Sequence, residues 1–271
     1  VNAAGAVTRR MISERTRPMV FWLVGLSLLM LMMAAFYPSV RDSGDTFDEY
    51  MESLPEGLQQ AFGLAGESMS SPEGYLVGEL YSNMYPIVVL VFAFGLAAWS
   101  VAGSEADGTL ELTLANPVSR RRVALERVAG TVVLTALLSA VSTAVLAAVS
   151  PVFGLDEGLP WWGLWSAALQ TMAFVFVLAA VVFAVGAATG SKGLAISVGS
   201  ALAVLGFLLQ ALAPLAEVLE DLRWGSPWYW MLRENPVTTA PNWINTALPL
   251  CLAALFVAVG TWVFERRDLK G

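Results

Sequence analysis

Six apolar runs, each close to the length of a bilayer crossing, decide what this chain can fold into. They fall at residues 19–37, 81–102, 128–149, 166–189, 193–215 and 246–264. A hydrocarbon core about 30 Å thick is crossed by about 20 apolar residues in helical form. In lipid, a helix satisfies every backbone N–H and C=O within its own segment. The expected fold is an all-α integral membrane protein with six transmembrane helices. Only Gly190-Ser-Lys192 parts the fourth and fifth runs, so one long buried hairpin is the alternative drawing there. The first run has no small-residue cleavage site behind it and reads as a retained span.

Composition narrows the chemistry. The chain is 57% hydrophobic and 14% charged, whereas about a quarter of a soluble domain is charged. It has no histidine, and its one cysteine, Cys251, lies inside an apolar run. A disulfide within the chain and a Cys/His metal site are therefore both excluded. With no basic stripe of useful size, nucleic acid is not expected as a partner; the lipid bilayer is.

Lys and Arg fix the orientation, because they accumulate in cytoplasmic loops. Twelve of the 15 lie at the N-terminus, between runs two and three, between runs four and five, or after run six. Only Arg41, Arg223 and Arg233 fall on the other side, where nine acids lie between residues 42 and 79. Both termini are expected in the cytoplasm, in a multi-pass protein of a bacterial plasma membrane. Tryptophan supports this frame. Trp161, Trp162, Trp165, Trp224, Trp228, Trp230 and Trp243 mark the outer boundary, and Trp22, Trp99 and Trp262 the inner one, as headgroup anchors.

The segments between runs have characters of their own. Residues 1–18 place Val7, Met11 and Ile12 among Arg9, Arg10, Arg15 and Arg17, which suits a basic amphipathic lead-in helix. The outer loop, 38–80, is too long for a bare connection. Helical spacing of Phe47, Tyr50, Met51 and Leu54, then of Leu58, Ala61, Phe62 and Leu64, predicts two short helices there. Their acids lack the alternating order of a calcium loop and read as a solvated face. Residues 217–245 are rich in Trp and Pro and suit short helices or a partial re-entry.

Between runs two and three lies a charged insert, 103–122. Ser104-x-x-Asp107 fits a capping box, and Glu105, Asp107 and Glu111 suit the positive end of a helix dipole. Leu110, Thr113 and Leu114 share one face. Asn116-Pro117 stops the helix, and Ser119 caps the next one. A helix of about two turns joined directly to two spans is a stiff lever on which a soluble partner could pull.

The run Gly108-Thr-Leu-Glu-Leu-Thr-Leu-Ala-Asn-Pro-Val-Ser-Arg120, preceded by acids, resembles the cytoplasmic signature of ABC type-2 exporter permeases. Leu54-Pro-Glu-Gly-Leu, Ser71-Pro-Glu-Gly-Tyr-Leu76 and the basic lead-in extend the likeness over most of the chain. The resemblance implies a coupling helix that docks into a groove on an ATP-hydrolysing subunit. By position, Glu105, Asp107, Gly108, Thr109, Leu110, Glu111, Leu114, Pro117, Val118 and Arg120 would line that contact, with either Glu105 or Asp107 as the family's acid. It further implies two copies of a P-loop ATPase, carrying ATP and Mg, and a second permease copy or close relative.

The chain itself has no Gly-x-x-x-x-Gly-Lys-Ser/Thr loop, so no cofactor is expected on it and no enzymatic activity of its own. At membrane depth, the polar side chains are those of Ser139, Ser142, Thr143, Ser197, Ser200 and Gln210, which ordinarily bond a neighbouring helix or their own backbone. Gly186 with Gly190, and Gly199 with Gly206, suit close helix contact. The expected function is outward transport of an amphiphilic, lipid-like or drug-like substrate. A non-transporting sensor or immunity subunit of the same architecture is the alternative. An intramembrane enzyme lacks the necessary carboxylate pair, metal or activated nucleophile.

Overall fold

The computed structural model describes residues 5–43, 68–215 and 217–268, and for 215, 217 and 218 the backbone alone. The two outer-loop helices expected around Phe47 and Leu58 lie outside the described residues. Everything regular among the described residues is helical: α1 (Ala6–Glu14), α2 (Thr16–Asp42), α3 (Pro72–Ala106), α4 (Thr109–Leu114), α5 (Arg120–Phe153), α6 (Gly163–Thr189), α7 (Lys192–Leu212), α8 (Glu217–Leu222), α9 (Pro227–Leu232) and α10 (Trp243–Arg266). Six of these, α2, α3, α5, α6, α7 and α10, are long and apolar enough to cross a membrane. The break at Gly190-Ser-Lys192 is real: Gly190 ends α6 at φ +66°, and the Ser191 hydroxyl accepts from the Leu194 N–H at the start of α7.

Apolarity all round a helix predicts burial on every side, and α6 fits that rule. Over an apolar 18-residue stretch of each, α6 and α3 have 72% of residues buried, against 17% for α7. So α6 and α3 form the centre, while α2, α7 and α10 form the rim. Lipid supplies no hydrophobic force between helices, and close packing at small residues holds them instead. A Cβ at Gly199 of α7 would strike Val182 of α6, and one at Gly260 of α10 would strike the Ala184 backbone. Of the glycines singled out in the sequence, Gly199 thus sets the α6–α7 approach. Gly206 leaves room for Trp228, and Gly190 ends a helix.

The span ends differ from the expectation. α3 begins at Pro72, well before residue 81, because Ser71 caps it and Pro72 occupies its first turn, where a missing N–H does no harm. Leu76–Met84, near its N-terminal end, and Trp99–Gly103, near its C-terminal end, are π-helical, on either side of an α-helical centre, Tyr85–Ala98. Such segments are uncommon and concentrate at functional sites.

The segment after α7 folds back into the bundle. Trp228 is buried between Phe174 and Phe207 and donates its indole N–H to the Ala203 carbonyl at 2.9 Å. This corrects the expectation of a headgroup anchor for Trp228, whereas Trp161, Trp224, Trp243 and Trp262 are exposed. Ser139 pairs with Tyr85 at 2.7 Å and Ser142 bonds the Leu138 carbonyl, as expected of polar groups at depth. Ser197 and Ser200 instead face out of the bundle.

Candidate partner-docking site at the basic face

The C-terminal end of α3 does not stop where a capping box would stop it. Ser104 lies in the helix, and its hydroxyl donates back to the Val101 carbonyl at 2.8 Å. The expected cap at Ser104-x-x-Asp107 is therefore not formed. A hydroxyl inside a continuous helix finds the carbonyl a turn behind it more readily than an N–H ahead. The chain turns at Asp107 and Gly108 instead, where Gly108 takes φ +71°, a left-handed conformation that glycine adopts without strain. The short helix α4 follows at once. Asn116 donates from its side chain to the carbonyls of Leu112 and Thr113, and Ser119 caps α5 by accepting from the Arg122 N–H at 3.3 Å.

Two sets of contacts fix α4 from behind. Leu110 is fully buried, and Leu114 and Val118 pack against the same core. Beneath them lies Arg127, a guanidinium only 4% exposed. It donates to the Ser100 carbonyl at 2.7 Å, to the Ser104 hydroxyl, and to Thr113 Oγ1 at 3.4 Å. One cation on α5 thus holds the end of α3 and the back of α4 together. A planar, five-donor group is suited to such three-way bonding in a way that an ammonium is not.

A second anchor comes from the far end of the sequence. Glu105 is ion-paired with Arg267, just past the end of α10, and the Arg267 carbonyl accepts from Arg120 Nη1 at 2.6 Å. Gly190 lies beneath this pair, so close that a Cβ there would meet the Arg267 guanidinium. Trp99 completes the arrangement. Its indole N–H donates to Asp107 at 3.2 Å, and its ring lies 4.3 Å from the Arg15 guanidinium and 5.2 Å from that of Arg127. Burial draws Arg15 below the ordinary guanidinium range, while the charges of Glu14 and Asp107 oppose that shift. It stays protonated regardless.

The lead-in helix is tied to the same region. Glu126 of α5 accepts from the N–H groups of Gly5, Val7 and Thr8 at 3.2, 2.8 and 3.3 Å, and from Arg122 Nε at 2.8 Å. A carboxylate at a helix N-terminus satisfies donors that the helix cannot. Met11 then packs into the space above Gly130. So α1 lies on α5, with Arg9 and Arg10 turned outward.

The residues expected to line a partner contact divide accordingly. Asp107, Gly108, Thr109, Glu111 and Pro117 are exposed together. Glu105, Leu110, Leu114, Val118 and Arg120 face the bundle wholly or in part and hold the surface in place. Sequence reasoning missed Leu112, which is 72% exposed at the centre of the outer face. Its signal was present, since two helical positions turn about 200° and place Leu112 opposite Leu110. Arg127 and Arg267 were counted only as loop charges. Nothing in their spacing marks them as anchors.

What results is a small, rigid surface with one exposed leucine and an acidic rim, joined to α3, α5 and α10. No curated protein matches the sequence. The family model for ABC-2 family transporter proteins, however, matches residues 6–269, nearly the whole chain. Six membrane-crossing helices and this match together establish that the chain belongs to the ABC-2 transporter family, as a membrane-spanning permease subunit.

Proposed function

We propose that this permease subunit works in an exporter, moving an amphiphilic, lipid-like or drug-like substrate outward, and that α4 is its coupling helix. The observation that carries the reading is the division of α4 into a fixed back and a free front. Leu110 and Arg127 hold it from behind, and Leu112 stands exposed on its outer side. The basic face is cytoplasmic in this reading, with both termini there and the bilayer that of the plasma membrane. Two ATPase subunits carry the ATP and Mg, and a second permease copy or close relative completes the pathway.

Closure of the ATPases on nucleotide moves α4, and its anchors pass that displacement to three spans. The permease supplies no bond chemistry. It turns differential nucleotide binding into a shift between inward-open and outward-open populations.

The test uses permease and ATPase co-reconstituted in vesicles, with ATP hydrolysis and outward movement of an amphiphilic dye measured together. Leu112→Asp and Gly108→Trp should leave insertion intact and abolish dye movement. Undiminished transport by both variants would refute the assignment of α4. A complex with stable subunit association and no transport of any dye would favour a sensor instead.

A further inference from the structure

A cavity of about 190 Å³ opens between α2 and α3 near the basic face. Arg15, Lys192, Trp99, Trp22, Phe92 and Gly95 are among its walls. It meets, at Trp22, a second and more apolar groove of about 340 Å³ lined by Gly25, Leu29 and Val88. Together they reach the size of a small-molecule site, about 300–1,000 Å³. The two ends differ in kind. One carries cations and indoles, and the other is hydrocarbon throughout.

The cations are the informative part. Neither Arg15 nor Lys192 forms an ion pair or a side-chain hydrogen bond among the described residues. The two acids whose charges reach Arg15 bond to other groups, Glu14 to Arg10 and Asp107 to the Trp99 indole, and act on it only through space. Neither acid lines the cavity. Arg15 comes from the junction of α1 and α2, and Lys192 from the first turn of α7, so two separate elements bring positive charge to one opening. Trp99 stacks on Arg15, and both line the cavity. Cations that hold no hydrogen-bonded counter-ion, beside a hydrocarbon groove, are complementary to a molecule with an anionic head and an apolar tail.

We propose that this composite cavity binds an anionic amphiphile from the inner leaflet, its phosphate or carboxylate head between Arg15 and Lys192 and its chain in the groove along Gly25, Leu29 and Val88. This rests on the export reading only in treating the occupant as cargo; the binding itself does not need the ATPase. The groove then selects among the leaflet's amphiphiles by head charge.

The permease, in nanodiscs of phosphatidylcholine, is titrated with spin-labelled phosphatidylglycerol and, separately, with spin-labelled phosphatidylcholine of the same chains. The immobilised fraction reads binding. Two near-surface cations predict a preference for the anionic probe of roughly thirtyfold, about fivefold for each. R15Q/K192Q should remove that preference, R15K/K192R should keep most of it, and R9Q/R17Q, on the same face outside the cavity, should leave it unchanged. Gly95→Leu starts from a position where nothing lies within 4 Å of an added Cβ and projects a side chain into the cavity, and should abolish immobilisation. Inorganic phosphate should not compete, whereas dodecyl phosphate should.

Equal binding of both probes, or equal loss in R9Q/R17Q, would overturn the proposal in favour of general surface charge. Crosslinking between two copies through Gly25→Cys, in a Cys251→Ser background, would assign the groove to a second permease and also overturn it. Failure here with α4-dependent transport intact would remove the cargo class and leave the export reading standing.

Discussion

Glu105, in the last turn of α3, is ion-paired with Arg267 beyond the end of α10, and both side chains are largely withdrawn from solvent. Residues 162 positions apart therefore close one face of the bundle. Removing one partner of a buried pair strands the other, at about 3–5 kcal/mol. Glu105→Gln and Arg267→Gln should each lower the thermal midpoint of the detergent-solubilised permease by several degrees. The exchange E105R/R267E should recover part of the loss. Native midpoints in all three would show that the pair contributes nothing.

Arg127 predicts a different pattern. Its three acceptors lie on two elements, so Arg127→Met should detach α4 from α3 and uncouple hydrolysis from transport. Arg127→Lys keeps the charge but not the planar fork, and should behave like the methionine variant. Full transport by the lysine variant would mean that charge alone suffices.

Leu110 and Leu112 separate folding from docking within one short helix. Leu110→Ala empties a buried site and should cost about 2–5 kcal/mol. Leu112→Asp alters an exposed position, where changes stay within about 0.5 kcal/mol, yet should weaken ATPase binding at least tenfold in a pull-down titration. Weak binding in the Leu110 variant alone would reverse these roles.

The contrast also marks what could be read beforehand. Hydrophobic run length gave the six spans, since lipid leaves the backbone few alternatives. The position of α4 followed from its flanking apolar runs and from Asn116-Pro117. Its start did not, because Ser104 has the composition of a cap but bonds backward, and the turn is made by Gly108. Arg127 and Arg267 were invisible as anchors because their partners are backbone carbonyls, hydroxyls and a distant carboxylate. Trp228 misled for a related reason: an indole suits a headgroup boundary and a buried acceptor equally well.

Glu126 gathers three backbone N–H groups and Arg122. Glu126→Gln keeps the shape and loses the charge, which strengthens such bonds roughly twofold. Amide hydrogen exchange across residues 6–14 should rise at least tenfold in this variant and stay unchanged in α5. Unaltered exchange would mean that Met11 packing alone holds α1.

Orientation can be tested with single cysteines in a Cys251→Ser background. Leu112→Cys should react with a membrane-impermeant maleimide only after cells are opened, and Trp161→Cys, 89% exposed in the native chain, should react in intact cells. The reverse pattern would invert the topology.

Only Asp107 and Gly108 separate α3 from α4. Two extended residues reach about 7 Å, little more than one helical turn of about 5.4 Å. On the export reading, that joint has almost no slack to take up. Insertion of a few flexible residues after Gly108 would leave every docking contact intact and let the ATPases turn over at full speed, like an engine running with the clutch depressed.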